Sequence, residues 1–210
     1  TGILPIKKYN TQSALNNFRE YSMIKPGGLA KYLGFTKGEV ETLCLKHHVS
    51  FEKMEQWYDG YQIGRERSMF NPYSVMEAIR NDDFGSYWSN TGAYDAVSTY
   101  IQMNFDGLKD DIINMLAGGR NVVDTAGFTN DMKIIRSKDD VFTVLIHLGY
   151  LAYDRETLQC YIPNKEVGIE FEQAIKLSSW NGITKTIEQS RSLLEATLRG
   201  DADAVAKYID

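Results

Sequence analysis

Cysteine is nearly missing from this chain of 210 residues, where Cys44 and Cys160 are the only two. They stand far apart with no partner at metal-ligand spacing, which argues against both a disulfide framework and a zinc site. Two core or surface thiols in a reducing cytoplasm are the expectation. A basic excess is missing too: Lys plus Arg total 23 against 28 for Asp plus Glu, a formal charge of −5. No global positive field therefore draws the chain onto phosphate backbones, and nucleic acid is not implied. No apolar run is long enough to cross a bilayer, and the first residues hold neither a basic segment leading into an apolar stretch nor a Met. The chain reads as soluble and as the interior of a longer polypeptide. Internal repeats and low-complexity tracts are also lacking.

What is present is the composition of an ordinary globular protein, 43% apolar and 24% charged. Thr1-Gly2-Ile3-Leu4-Pro5-Ile6 reads as the end of a buried strand, because the apolar run closes at a Pro that cannot donate to a ladder. Thr36 and Glu39 form a capping box ahead of Val40, Leu43 and Cys44, which predicts a helix over 37–47. Ser50 caps a short helix after it. The pattern turns extended around Gly60 and Gly64. Asn71-Pro72 then supplies an N-cap and a Pro at the first helical position, opening a helix through Val75, Met76 and Ile79. Tyr87-Trp88 falls in an irregular stretch. Two further helices carry Tyr94, Val97 and Ile101, and Leu108, Ile112, Met115 and Leu116, the second stopping at Gly118-Gly119.

From Ser137 a capped apolar helix with Val141, Val144, Leu145 and Leu148 runs to Gly149. Two short strands flank Arg155-Glu156-Thr157, and Asn164 caps a helix holding Val167, Phe171, Ala174 and Ile175. Helix, hairpin and helix together suggest a winged-helix-like unit. The stretch from Ile183 to Leu198 reads as a long amphipathic helix. The fold class is thus mainly α with short β elements.

Several short motifs recur in a fixed order: Tyr58-Asp59-Gly60-Tyr61, Asn71-Pro72-Tyr73, Tyr87-Trp88 followed by Asn90-Thr91, Gly149-Tyr150-Leu151, and Tyr161-Ile162-Pro163-Asn164. As an ordered set they resemble the bacterial AAA-ATPase-like family. That resemblance covers the chain from Thr1 to about Ile175. It implies a P-loop core in front of this region and often a PD-(D/E)XK nuclease-like domain behind it. The implied division is residues 1–6 as the end of a strand from the missing core, 7–136 as a helical lid-like region, 137–180 as the winged-helix-like unit, and 181–210 as a helical linker. Thr1, which would close the strand after the Walker B strand, becomes a candidate nucleotide sensor. The departure from the family lies in the chemistry: no G-x-x-x-x-G-K-[ST] loop occurs here, so ATP and magnesium are implied for the parent protein and no cofactor for this chain. The implied partners are the missing P-loop core and a C-terminal effector domain. A regulatory or coupling segment without its own catalytic site is the leading expectation, and a winged-helix interaction module is the alternative. Twofold self-association through the first residues is also expected, since an unpaired strand edge recruits another.

Other constellations carry competing readings. Asp124 with Asp131 and Lys133 matches the outline of a PD-(D/E)XK metal site, where two carboxylates hold a metal and Lys helps activate water. Gly127 to Asn130 between them reads as a loop where paired strands are required. His147 could touch a nucleotide phosphate; the plainer reading is a partly exposed histidine whose protonation a helix C-terminus favours. His47 and His48 end another helix and lack ligand spacing. Asp59 reads as a catalytic carboxylate or, more plainly, as a turn residue bonding a backbone amide two positions on, and Arg65, Glu66 and Arg67 as a loop tip that reaches toward phosphate or, by default, as a solvated turn. The helix before the hairpin offers Asp139, Asp140, Thr143 and His147 outside its apolar faces, a poor surface for DNA.

Overall fold

The computed structural model describes residues 21–88, 94–103, 105–126, 128, 135–177, 189–190, 192–194, 196–202 and 205. The strand expected over 1–6, and with it Thr1, lies outside them. Among the described residues no helix is long and apolar enough to cross a membrane.

The first half comprises a 3-10 turn Gly27–Tyr32, β1 (Phe35–Thr36), α1 (Lys37–His47), α2 (Phe51–Tyr58), β2 (Tyr61–Ile63), β3 (Glu66–Phe70) and α3 (Pro72–Asn81). Its three helices begin where side chains satisfy free amides. The Glu39 carboxylate accepts from the Thr36 amide and hydroxyl at 2.8 and 2.7 Å. Ser50 Oγ accepts from the Lys53 amide at 3.3 Å, and Asn71 Oδ1 from the Tyr73 amide at 3.0 Å with Pro72 at the first helical position. The strands form an antiparallel sheet in the order β1-β3-β2, with Phe35 opposite Phe70 and Tyr61 opposite Met69. Val40, Cys44, Met54, Tyr58, Phe70 and Val75 make the core of this half.

The second half comprises α4 (Tyr94–Ile101), α5 (Leu108–Leu116), β4 (Asn121–Val122), α6 (Lys138–His147), β5 (Ala152–Asp154), β6 (Gln159–Tyr161) and α7 (Lys165–Leu177). Ser137 and Asp140 cap α6 reciprocally, each accepting from the other's amide at 3.2 Å. Asn164 Oδ1 caps α7 by accepting from the Val167 amide at 3.1 Å. The order helix, hairpin, helix is as expected. The sheet is larger: β4 pairs antiparallel with β6, giving β4-β6-β5. α6 is buried from Val141 through Ile146, Thr143 included, while Asp139, Asp140 and His147 are half-buried. Its core joins Val97, Ile101, Leu108 and Ile112 of α4 and α5 to Leu145 of α6 and Phe171 of α7, running continuously across position 136.

The two sheets meet edge on, β2 against β5, through a small cluster of Tyr61, Ile63, Met69 and Ala152. Helix α7 packs against α2 of the first half and against α4 and α5 of the second. The fold is mainly α with two small antiparallel sheets.

Candidate functional site

Residues of the Tyr58-Asp59-Gly60-Tyr61, Tyr87-Trp88, Gly149-Tyr150-Leu151 and Tyr161-Ile162-Pro163-Asn164 motifs meet between the halves, while Asn90 and Thr91 lie outside the described residues. Tyr58 ends α2 fully buried, and its hydroxyl donates to the Gly85 carbonyl at 3.0 Å while accepting the Gly85 amide at 3.2 Å. Asp59 then turns the chain out of the helix. Its carboxylate accepts from the Ser68 hydroxyl at 2.8 Å, across the β2–β3 hairpin. That hydroxyl takes the place of the amide two residues on that the sequence suggested. Burial pushes the Asp59 carboxyl above its ordinary value, with the Gly60 amide and Ser68 hydroxyl pulling the other way. Its Oδ1 is buried and has no partner among the described residues.

Gly60 follows with φ +105, and a Cβ there would run into the Pro163 carbonyl, so glycine is required twice over. Three hydrogen bonds then tie the segment to the second half. Tyr61 Oη donates to the Gly149 carbonyl at 2.8 Å, Tyr161 Oη to the Gly60 carbonyl at 3.1 Å, and Asn164 Nδ2 to the Asp59 carbonyl at 2.9 Å. The Trp88 and Tyr150 rings stack with centroids 5.3 Å apart. Motifs that are separate in sequence thus form one bonded joint.

Glu166 of α7 completes it. The side chain is fully buried, and its Oε1 accepts from Ser74 Oγ at 2.9 Å and from the Tyr87 and Trp88 amides at 2.8 and 3.1 Å. Burial raises its pKa, with those donors opposing and Glu170 reinforcing the shift. Glu170, also buried, accepts from Ser86 Oγ at 2.5 Å. Sequence reasoning missed both glutamates, although 166, 170 and 174 share one face of a helix and Ala174 is among the apolar residues that predict that helix. Ser74 with Glu166 has the chemistry of a hydroxyl and a base. Both are closed to solvent, which leaves a substrate no approach.

Polar contacts continue along the sheet junction. Burial alone would raise the Asp154 carboxyl. The Glu156 and Thr157 amides and the Arg120 guanidinium outweigh it and hold the carboxyl below its usual range. Arg120 also lies over the Tyr161 ring at 4.0 Å. Arg67, from the loop tip read as solvated, makes an exposed ion pair with Glu156 at 2.8 Å; Arg65 is exposed. Beside the joint opens an apolar cavity of about 300 Å³, whose walls include Leu33, Tyr61, Phe70, Tyr73, Trp88 and Gly149. Among the described residues no charged side chain lines it.

Asp131 and Lys133 lie outside the described residues, and Asp124 follows β4, its Oδ1 accepting from the Ala126 amide at 2.9 Å. His147 packs near the Phe128 ring, and burial lowers its pKa, opposite to the direction expected from the helix terminus. His47 and His48 are exposed at the end of α1. Both cysteines are buried and free; burial pushes the Cys160 thiol up to about 12. Among the described residues no group of three or more His, Cys, Asp or Glu is placed to hold a metal ion. No family model, curated protein or solved structure compared with the chain matches it.

Proposed function

We propose that this chain is a regulatory coupling segment, a braced joint that passes movement between flanking parts of a longer polypeptide and performs no bond chemistry itself. On the resemblance described above, those parts are a P-loop ATPase core before Thr1 and an effector domain after Asp210. The observation that carries the reading is the convergence of the ordered motifs on hydrogen bonds that cross between the two halves: Tyr61 to Gly149, Tyr161 to Gly60 and Asn164 to Asp59. Residues that served a catalytic pocket would turn their polar atoms toward open space. Here those atoms face one another, and cross-bracing of this kind lets packed elements move as a body instead of deforming.

The test uses the chain together with the coding sequence that flanks it. Mg-ATP is added, and the distance between a label on α1 and one beyond the C-terminal helix is followed by fluorescence transfer. The reading expects a nucleotide-dependent change that Asn164→Ala weakens while ATP affinity stays unchanged. A change that ignores the joint, or flanking sequence without a nucleotide site, would refute it.

A second reading has one observation in its favour. The apolar cavity opens beside Leu33 and Tyr73, which are 44% and 47% exposed, and exposed aromatics at an apolar recess suit a protein partner. Tyr73→Ala separates the two: loss of a partner without loss of coupling would favour an interaction module.

A further inference from the structure

We propose that the apolar cavity beside the joint is a small-molecule site, taking an uncharged, flat aromatic ligand that carries one hydrogen-bond acceptor. The inference goes beyond the coupling proposal and holds whether or not the chain couples two domains.

The walls come from both halves. Tyr61, Met69 and Phe70 belong to the first sheet, Gly149 to the turn after α6, and Trp88 to the segment between α3 and α4. Each wall is held from behind. Tyr61, Met69 and Phe70 are buried core residues, and Tyr61 Oη is fixed on the Gly149 carbonyl at 2.8 Å. The Trp88 ring stacks on Tyr150, and its amide is held by Glu166. Gly149 has φ +83, and a Cβ on it would lie 3.0 Å from the Trp88 ring, so these two walls already touch. A recess built from fixed side chains keeps its shape before a ligand arrives, which lowers the cost of binding.

Size favours a small molecule over a macromolecule. The volume of about 300 Å³ stands at the lower end of small-molecule sites, which run from roughly 300 to 1,000 Å³. It suits one ring system with a short substituent. A partner's helix, about 10 Å across with its side chains, would lie outside and send in one side chain at most. Half-exposed Leu33 and Tyr73 stand where the recess meets solvent and leave a free ligand a way in.

The lining selects the ligand's chemistry. The rings of Tyr61, Phe70, Tyr73 and Trp88, with the thioethers of Met23 and Met69, favour an aromatic ring over a branched aliphatic group. Among the described residues no charged side chain lines the recess. A charged ligand would therefore shed its water without meeting a counter-charge, a cost that contact with ring faces does not offset. Asn71 supplies the polar handle. Its Oδ1 is held by the Tyr73 amide as the cap of α3, so the atom it has left to offer is Nδ2, a donor that calls for an acceptor.

The experiment titrates the whole chain, labelled with nitrogen-15, with acetophenone, following the Gly149 amide, the Trp88 indole and the Asn71 side-chain amide by NMR. Toluene, which lacks the acceptor, and the ions benzoate and benzyltrimethylammonium are titrated alongside. Acetophenone and toluene should both give saturable shifts centred on the recess, with each ion at least about tenfold weaker. Acetophenone alone should move the Asn71 side-chain amide protons downfield. Asn71→Asp keeps the acceptor that caps α3 and loses the donor, so it should lower the ratio of acetophenone to toluene affinity about fivefold. No saturable shift with either neutral compound, shifts spread over the whole chain, or ions binding equally well overturn the proposal. An Asn71 amide indifferent to acetophenone overturns the acceptor, and is read on the wild-type chain even if the variant does not fold. No flanking domain enters these measurements, so a failed coupling experiment leaves their outcome standing.

Discussion

Asn164 serves two elements at once: its Oδ1 caps α7 through the Val167 amide, and its Nδ2 donates to the carbonyl of Asp59, 105 positions earlier in the chain. One side chain thereby starts a helix in the second half and fixes the exit from a helix in the first. Asn164→Ala loses both bonds and should cost about 2 kcal/mol. Asn164→Asp keeps the cap and loses the donor, facing the Asp59 carbonyl with an acceptor instead, and should cost on the order of 1 kcal/mol. Urea denaturation of the two variants decides it; an Asn164→Asp variant as stable as the parent would mean that the brace to Asp59 contributes nothing beyond the cap.

Gly60 tests the closeness of the halves. Its φ of +105 and the Pro163 carbonyl beside it leave no room for a methyl group. Gly60→Ala should destabilise by roughly 3 kcal/mol or more, or prevent folding. Gly85→Ala, where an added Cβ meets nothing within 4 Å, should stay within about 1 kcal/mol of the parent. Thermal melts of the pair show whether strain at Gly60 is local to this contact.

Asp59 should make stability depend on pH. Its folded-state pKa is raised, chiefly by burial. Its contribution is therefore fully present below the unfolded aspartate value and is lost as pH rises through the folded one. Asp59→Asn keeps an oxygen for the Ser68 hydroxyl and removes the buried charge, so it should flatten that part of the profile and be tolerated at neutral pH. Asp59→Ala should cost on the order of 1 kcal/mol. A profile identical in wild type and Asp59→Asn would show that this carboxyl titrates normally.

The isolated chain should give no saturable heat with Mg-ATP at millimolar concentration in calorimetry. It has no glycine-rich phosphate loop, and phosphate binding without one would need a cluster of donors. Micromolar binding would place a nucleotide site where none was read, and the coupling proposal would have to yield to a nucleotide-binding one.

Local signals made much of this fold legible. Thr36 with Glu39, Ser50, Asn71-Pro72, Ser137 and Asn164 each start a helix within a few residues of themselves, so a cap in sequence is a cap in space. The hairpin around Arg155 was readable for the same reason. Strand β4 was not, because two residues hold no periodicity and Asn121 pairs with Cys160 only through the fold. The joint was half legible. Its motifs stood out as an ordered set, but their common role depends on contacts spanning 88 to 105 positions. Glu166 and Glu170 were hidden by their type, since a glutamate on a helix is by default a solvated residue. The reversed shift at His147 has a similar origin, because the helix terminus is visible in sequence and the burial against Phe128 is not.

The central claim is that the joint makes the two halves one mechanical and cooperative body, and native-state hydrogen exchange tests it most directly. Amides of β2 and β3 in the first half, and of β5, β6 and α7 in the second, are followed under increasing denaturant. The account predicts that both sets open together with one free energy, and that Asn164→Ala lowers it equally for both. Separate opening free energies in the wild-type chain, with Asn164→Ala lowering only the second, would contradict it.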